Sequence, residues 1–89
     1  MTKAKELDAL ARGEGCIGKS RDDEPIFTLV ARDKHAAGVV REWARRFRQQ
    51  KVETNAFDER AREKYQEALD LANQMDQWRY DNGGGKWPD

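Results

Sequence analysis

The chain has one cysteine, one histidine and no long apolar run in its 89 residues. Each scarcity removes a class of protein. A lone Cys16 cannot close an intrachain disulfide, so the usual staple of small secreted domains is missing. With His35 as the only histidine, a zinc site would have to be completed by carboxylates, and no nucleophile stands near it for general-base chemistry. The first twenty residues hold neither a secretory h-region nor a membrane span. The expectation is a cytoplasmic protein without membrane contact, metal or cofactor. Positive charge is not in excess either: 17 basic side chains meet 17 acidic ones, whereas a nucleic-acid binder ordinarily carries a surplus of cations.

What is present is charge and a few large aromatic groups. Charged residues make up 38% and hydrophobic residues 37%, with a mean hydropathy of -1.10. These values approach those of disordered chains. Zero net charge removes self-repulsion, however, and three Trp, three Phe and two Tyr supply apolar area for collapse. A single small domain with a thin core is expected. The neutrality conceals segregation: residues 1–31 carry five basic and six acidic groups, residues 32–51 seven and two, and residues 52–89 five and nine.

Along the chain, Thr2 is placed to cap a short helix bearing Leu7, Leu10 and Ala11, which Gly13 ends. A Gly-, Ser- and Asp-rich stretch to Glu24 reads as loop. Pro25–Ala31 is dense in β-branched and aromatic residues and reads as a strand in need of a mate. Asp33 suits the N-cap of a helix over residues 34–50, with Ala36, Val40, Trp43 and Phe47 on one stripe and Gly38 as a point of close packing. Asn55 suits the cap of a third helix over residues 57–80, striped by Ala61, Tyr65, Ala68, Ala72 and Met75 and widened by Trp78. The predicted fold is mainly α: a helical hairpin braced by a short N-terminal helix and one extended or β segment. Residues 1–81 form the domain and residues 82–89 a flexible Gly-rich tail.

Three constellations carry chemistry. Gly13-Glu-Gly-Cys-Ile-Gly-Lys-Ser20 matches the phosphate-loop pattern G-x-x-x-x-G-K-S. That loop needs a buried strand before it. Here a helix precedes it, and the acidic run Asp22–Glu24 follows, so the match is read as coincidence and the chain as not an enzyme. Arg41, Arg45 and Arg48 share a helix face with Lys51 beyond them. They either neutralise Glu59, Glu63, Glu67 and Asp70 of the next helix or lie along a phosphate backbone. Trp87, after three glycines, is a candidate anchor for a partner.

The run Gly15–Asp33, with its Gly-Lys stretch and Asp-Glu-Pro turn into an apolar segment, followed by Val40-Arg-Glu-Trp43, resembles a family of small uncharacterised bacteriophage and prophage proteins. The resemblance covers roughly residues 13–45 and implies an accessory protein acting in a bacterial host cytoplasm. It assigns no catalytic or binding residue. The expected function is a non-enzymatic protein-binding module, an inhibitor or adaptor of a host factor, that also self-associates. The alternative is a nucleic-acid-associated protein using the basic face of residues 41–51. The binding candidates are Arg41, Arg45, Arg48, Lys51 and Trp87.

Overall fold

A computed structural model describes residues 1–87 and shows a mainly helical protein. Its four helices are α1 (Lys3–Ala11), α2 (Gly15–Lys19), α3 (Ala36–Glu53) and α4 (Glu59–Asp81). No described helix is long and apolar enough to cross a membrane.

Helix α1 starts where the sequence places it. Thr2 is extended, and its hydroxyl accepts a hydrogen bond from the Lys5 amide at 3.3 Å. Instead of continuing as loop, residues 15–19 then fold into α2 and pack back on α1. Gly18 makes that return feasible: a Cβ there would lie 2.9 Å from the Gly13 carbonyl carbon. The glycines of the phosphate-loop pattern thus serve a helix–turn–helix contact. Neither α1 nor α2 packs on α3 or α4, so the expected brace on the hairpin is not formed.

Asp33 does not cap α3: it closes the preceding turn by accepting from the His35 amide at 2.8 Å, and His35 takes the N-cap position without a side-chain cap bond. Asn55 does not cap α4. It takes a left-handed backbone (φ 55°) that ends α3, and Asp58 starts α4 by accepting from the Ala61 amide at 2.9 Å. The connection is short, and α3 and α4 form the antiparallel hairpin.

Alanine lines its core. Ala36, Ala37 and Ala44 of α3 and Ala61 and Ala72 of α4 are buried, and no large side chain among the described residues is fully so. Small residues at the crossing let the two backbones approach closely, which pushes bulky groups to the flanks. Trp43 and Trp78, both read as core from the sequence, are consequently 47% and 50% exposed. Gly38 is not a packing site: a Cβ there would meet nothing within 4 Å.

Pro25–Ala31 forms no strand. Phe27 in that segment is 85% exposed, and the bridge found among the described residues pairs Asp33 with Lys86 instead. That bridge involves the described part of the tail, residues 82–87. After α4 the Gly84 amide bonds the Arg79 carbonyl at 2.7 Å, and the chain turns back along residues 32–34. The Lys86 amide donates to the Arg32 carbonyl at 2.9 Å, and the Lys34 amide to the Lys86 carbonyl at 3.1 Å. Gly85 has φ 73°, and a Cβ there would lie 2.5 Å from the Arg32 carbonyl oxygen, so the clasp requires glycine on two counts. The remainder of the expected tail, residues 88 and 89, lies outside the described residues.

The molecule leaves much surface open. Its accessible area is 7409 Å², about 2,000 Å² more than a compact monomer of this mass exposes. Its radius of gyration is 14.7 Å, against about 12 Å for a compact chain of this length.

Candidate protein-interaction face

The two edges of the hairpin differ in chemistry. One edge is polar. Arg41 of α3 reaches across to α4, donating to Asn73 at 3.1 Å and to Asp76, which also receives a bond from Arg79 one turn on. The hydrogen bond from Arg41, seconded by that from Arg79, holds the Asp76 carboxyl below its ordinary range. Arg79 is the least exposed member of the cluster.

The rest of the basic stripe is used within α3 or beside it. Arg45 donates to Glu42 through two nitrogens, at 2.7 and 2.9 Å, and to Gln49 at 3.2 Å. Arg46 also donates to Glu42, at 2.9 Å. These hydrogen bonds, with Arg45 first, lower the Glu42 carboxyl to about 2. The Arg48 guanidinium lies 5.6 Å from the Phe57 ring centre, and the Lys51 ammonium 5.7 Å from that of Phe47. The pairing of this stripe with Glu59, Glu63, Glu67 and Asp70 does not occur among the described residues; the acidic partners are Asp76 and Glu42.

The other edge is apolar. On α3, Val39, Trp43 and Phe47 recur every four residues, and Trp43 stacks on Phe47 with ring centres 5.1 Å apart. On α4, Leu71, Met75 and Trp78 recur at spacings of four and three. Two contacts across the hairpin settle which flanks lie together. Arg41 meets Asn73 and Asp76 on the polar side, while Lys64 lies over Phe47, 5.8 Å from its ring centre, on the other. At 100° per residue, Leu71, Met75 and Trp78 share the Lys64 side of α4. Val39, Trp43 and Trp78 are each about half exposed, Phe47, Leu71 and Met75 are partly buried, and the six positions share one side of the hairpin.

The tail clasp sets Trp87 against the start of α3. Its ring lies 4.9 Å from that of His35, with the Lys34 ammonium 5.1 Å away. Trp87 stays 60% exposed, so it is a partly seated group rather than a free-swinging anchor.

The structure therefore separates the sequence candidates. Arg41 belongs to the polar edge, Arg45 to an intrahelical network, Arg48 and Lys51 to two phenylalanine rings, and Trp87 to the clasp. It does not gather them into one site. The apolar strip is not evident in the sequence because Trp43, Phe47, Met75 and Trp78 fall on the same helical stripes as the alanines. The signal was present in the alanines, whose spacing marks the face of closest approach. Among the described residues, no group of three His, Cys, Asp or Glu side chains is disposed to hold a metal ion. The chain matches no family model, no curated protein and no solved structure.

Proposed function

We propose that the chain is a non-enzymatic protein-binding module whose contact surface is the apolar edge of the α3–α4 hairpin. One observation carries this reading: alanines are buried while Val39, Trp43 and Trp78 stand half exposed on one strip. A monomer gains little by leaving two Trp side chains in water, whereas an interface recovers that area and is enriched in such groups. With the resemblance to phage accessory proteins, the reading becomes an adaptor or inhibitor of a host factor in a bacterial cytoplasm, able to associate with itself as well.

The nucleic-acid alternative relies on the basic face of residues 41–51. It is disfavoured by the commitments of that face, since Arg41, Arg45 and Arg46 already bond Asp76 and Glu42. A phosphate backbone would have to displace these carboxylates.

Capture from a bacterial lysate with three baits tests the proposal. The natural chain and Arg45→Glu should retain the same proteins, and Trp43→Glu should lose them. Equal capture by all three would reject the edge as the contact surface. Retention of nucleic acid by the natural chain, lost in Arg45→Glu and in high salt, would establish the alternative.

A further inference from the structure

We infer that in the free protein the apolar edge is filled by a second copy of this chain, which an incoming partner must displace, docked about a two-fold axis parallel to the helices so that α3 faces the partner's α4. The inference deepens the protein-binding reading and rests on it. The first support is area. A standard interface buries about 800 Å² per partner, and the chain's surface of 7409 Å² exceeds that of a compact monomer by about 2,000 Å². An interface of standard or larger size fits within that excess.

The second support is charge, which also selects the orientation. Helix α3 carries five basic and two acidic side chains, a net of +3, and α4 carries four and six, a net of -2. Two hairpins meeting edge to edge can be related by either of two in-plane two-fold axes. An axis across the helices sets α3 on α3 and α4 on α4, placing like charges together. An axis along the helices sets α3 on the opposing α4, and every neighbouring pair is then antiparallel and opposite in charge. The result is a four-helix bundle with alternating α3 and α4.

Its register follows from the hairpin. Arg41 lies level with Asn73 and Asp76, and Phe47 with Lys64, and an axis along the helices preserves these levels between copies. Trp43 then meets the Leu71 and Met75 positions of the second copy. At the rim of the strip, Arg46 comes level with Glu67 of the second copy. Arg46 is 75% exposed in the single chain and, among the described residues, bonded only to Glu42 of its own helix. The zero net charge of the chain allows two copies to approach without long-range repulsion.

The test is a charge exchange read by sedimentation equilibrium. The natural chain should show twice the 10.3 kDa chain mass. Arg46→Glu and Glu67→Arg should each weaken the dimer by about tenfold, since two exposed pairs are lost and like charges face each other. An equimolar mixture should recover the natural affinity, because in the mixed dimer both pairs are again opposite in sign. Circular dichroism of each variant establishes that it is folded. A mixture no tighter than the separate variants would overturn the α3-on-α4 arrangement. A natural chain of single-copy mass across the micromolar range would overturn the dimer altogether. The capture comparison decides the wider protein-binding reading independently of both.

Discussion

The polar and apolar edges of the hairpin lie on the same two helices, yet only one is completed within the chain. On the polar edge, Arg41 donates to Asn73 and Asp76 across the crossing, and Arg79 donates to the same Asp76 from within α4. On the apolar edge, Trp43 and Trp78 each keep about half of their surface in water. The lesson is one of division of labour. Fixing α3 against α4 takes alanines and one charged cluster, which frees the large side chains for work between molecules.

Substituting the apolar edge should give the largest effect on assembly. Trp43→Glu is expected to reduce the particle to one chain by light scattering. Helicity should persist, because Trp43 is half exposed and the buried positions are alanines. Loss of helicity together with mass would show that Trp43 holds the hairpin itself, and the contrast between the edges would fail.

The polar edge should respond in the opposite sense. Asp76→Ala leaves the largely covered Arg79 without its carboxylate, and about 1–2 kcal/mol of stability should be lost. The melting temperature should fall by several degrees while the association constant stays unchanged. A large change in association would mean that the two edges are not independent.

The clasp tests a third region. Gly85→Ala forces a Cβ to within 2.5 Å of the Arg32 carbonyl oxygen at a positive φ, costing about 1–3 kcal/mol. Because the clasp joins two chain segments at one end of the hairpin, the expected outcome is local release. Trp87 fluorescence should shift to the red and proteolysis near Lys86 should quicken, with the hairpin intact. Global unfolding would assign the clasp a larger part in the fold.

Acid should act mainly through the paired carboxylates. Glu42, with an ordinary value of 4.5, is held at about 2, and Asp76 also lies below its ordinary 3.8. The unfolded chain therefore binds more protons than the folded one in this range. The stabilisation is present above about 4.5 and is lost as pH falls towards 2. Denaturant midpoints should decline over that window in the natural chain and less steeply in Asp76→Ala. The smallest effect is expected from Arg45→Glu, where an exposed intrahelical pair is lost, and it should shrink further in high salt.

The existence and order of α1, α3 and α4 were legible because Ala61, Tyr65, Ala68 and Ala72 keep the period of a helix, and Thr2 and Gly13 bracket the first one, whereas α2 lies in a stretch whose composition reads as loop. The role of Trp43 was not. A broad apolar stripe does not disclose which part of its arc meets the neighbouring helix, and large groups are weighted towards the core by habit of size. Pro25–Ala31 has the composition of a strand, but a strand is a property of two segments, and no second one pairs with it here. Asn55 and Asp58 are both cap-type residues within one short connection, and only the left-handed backbone of Asn55 separates their tasks. Three glycines suggested freedom at the end of the chain, whereas Gly85 allows a close backbone approach that another residue would block. Arg41–Asp76 depends on the register of the hairpin, which the turn at residues 54–58 sets.

Oxidative footprinting of the natural chain over a range of concentrations separates the two edges of the hairpin, because both report in one sample. Trp43 and Trp78 mark the apolar edge, and Tyr80, 82% exposed, lies on the polar side of α4 as an internal reference. Trp43 and Trp78 should lose reactivity together as concentration rises, while Tyr80 remains reactive. Protection of Tyr80 with Trp43 and Trp78 still reactive would contradict this and move the contact surface to the opposite edge.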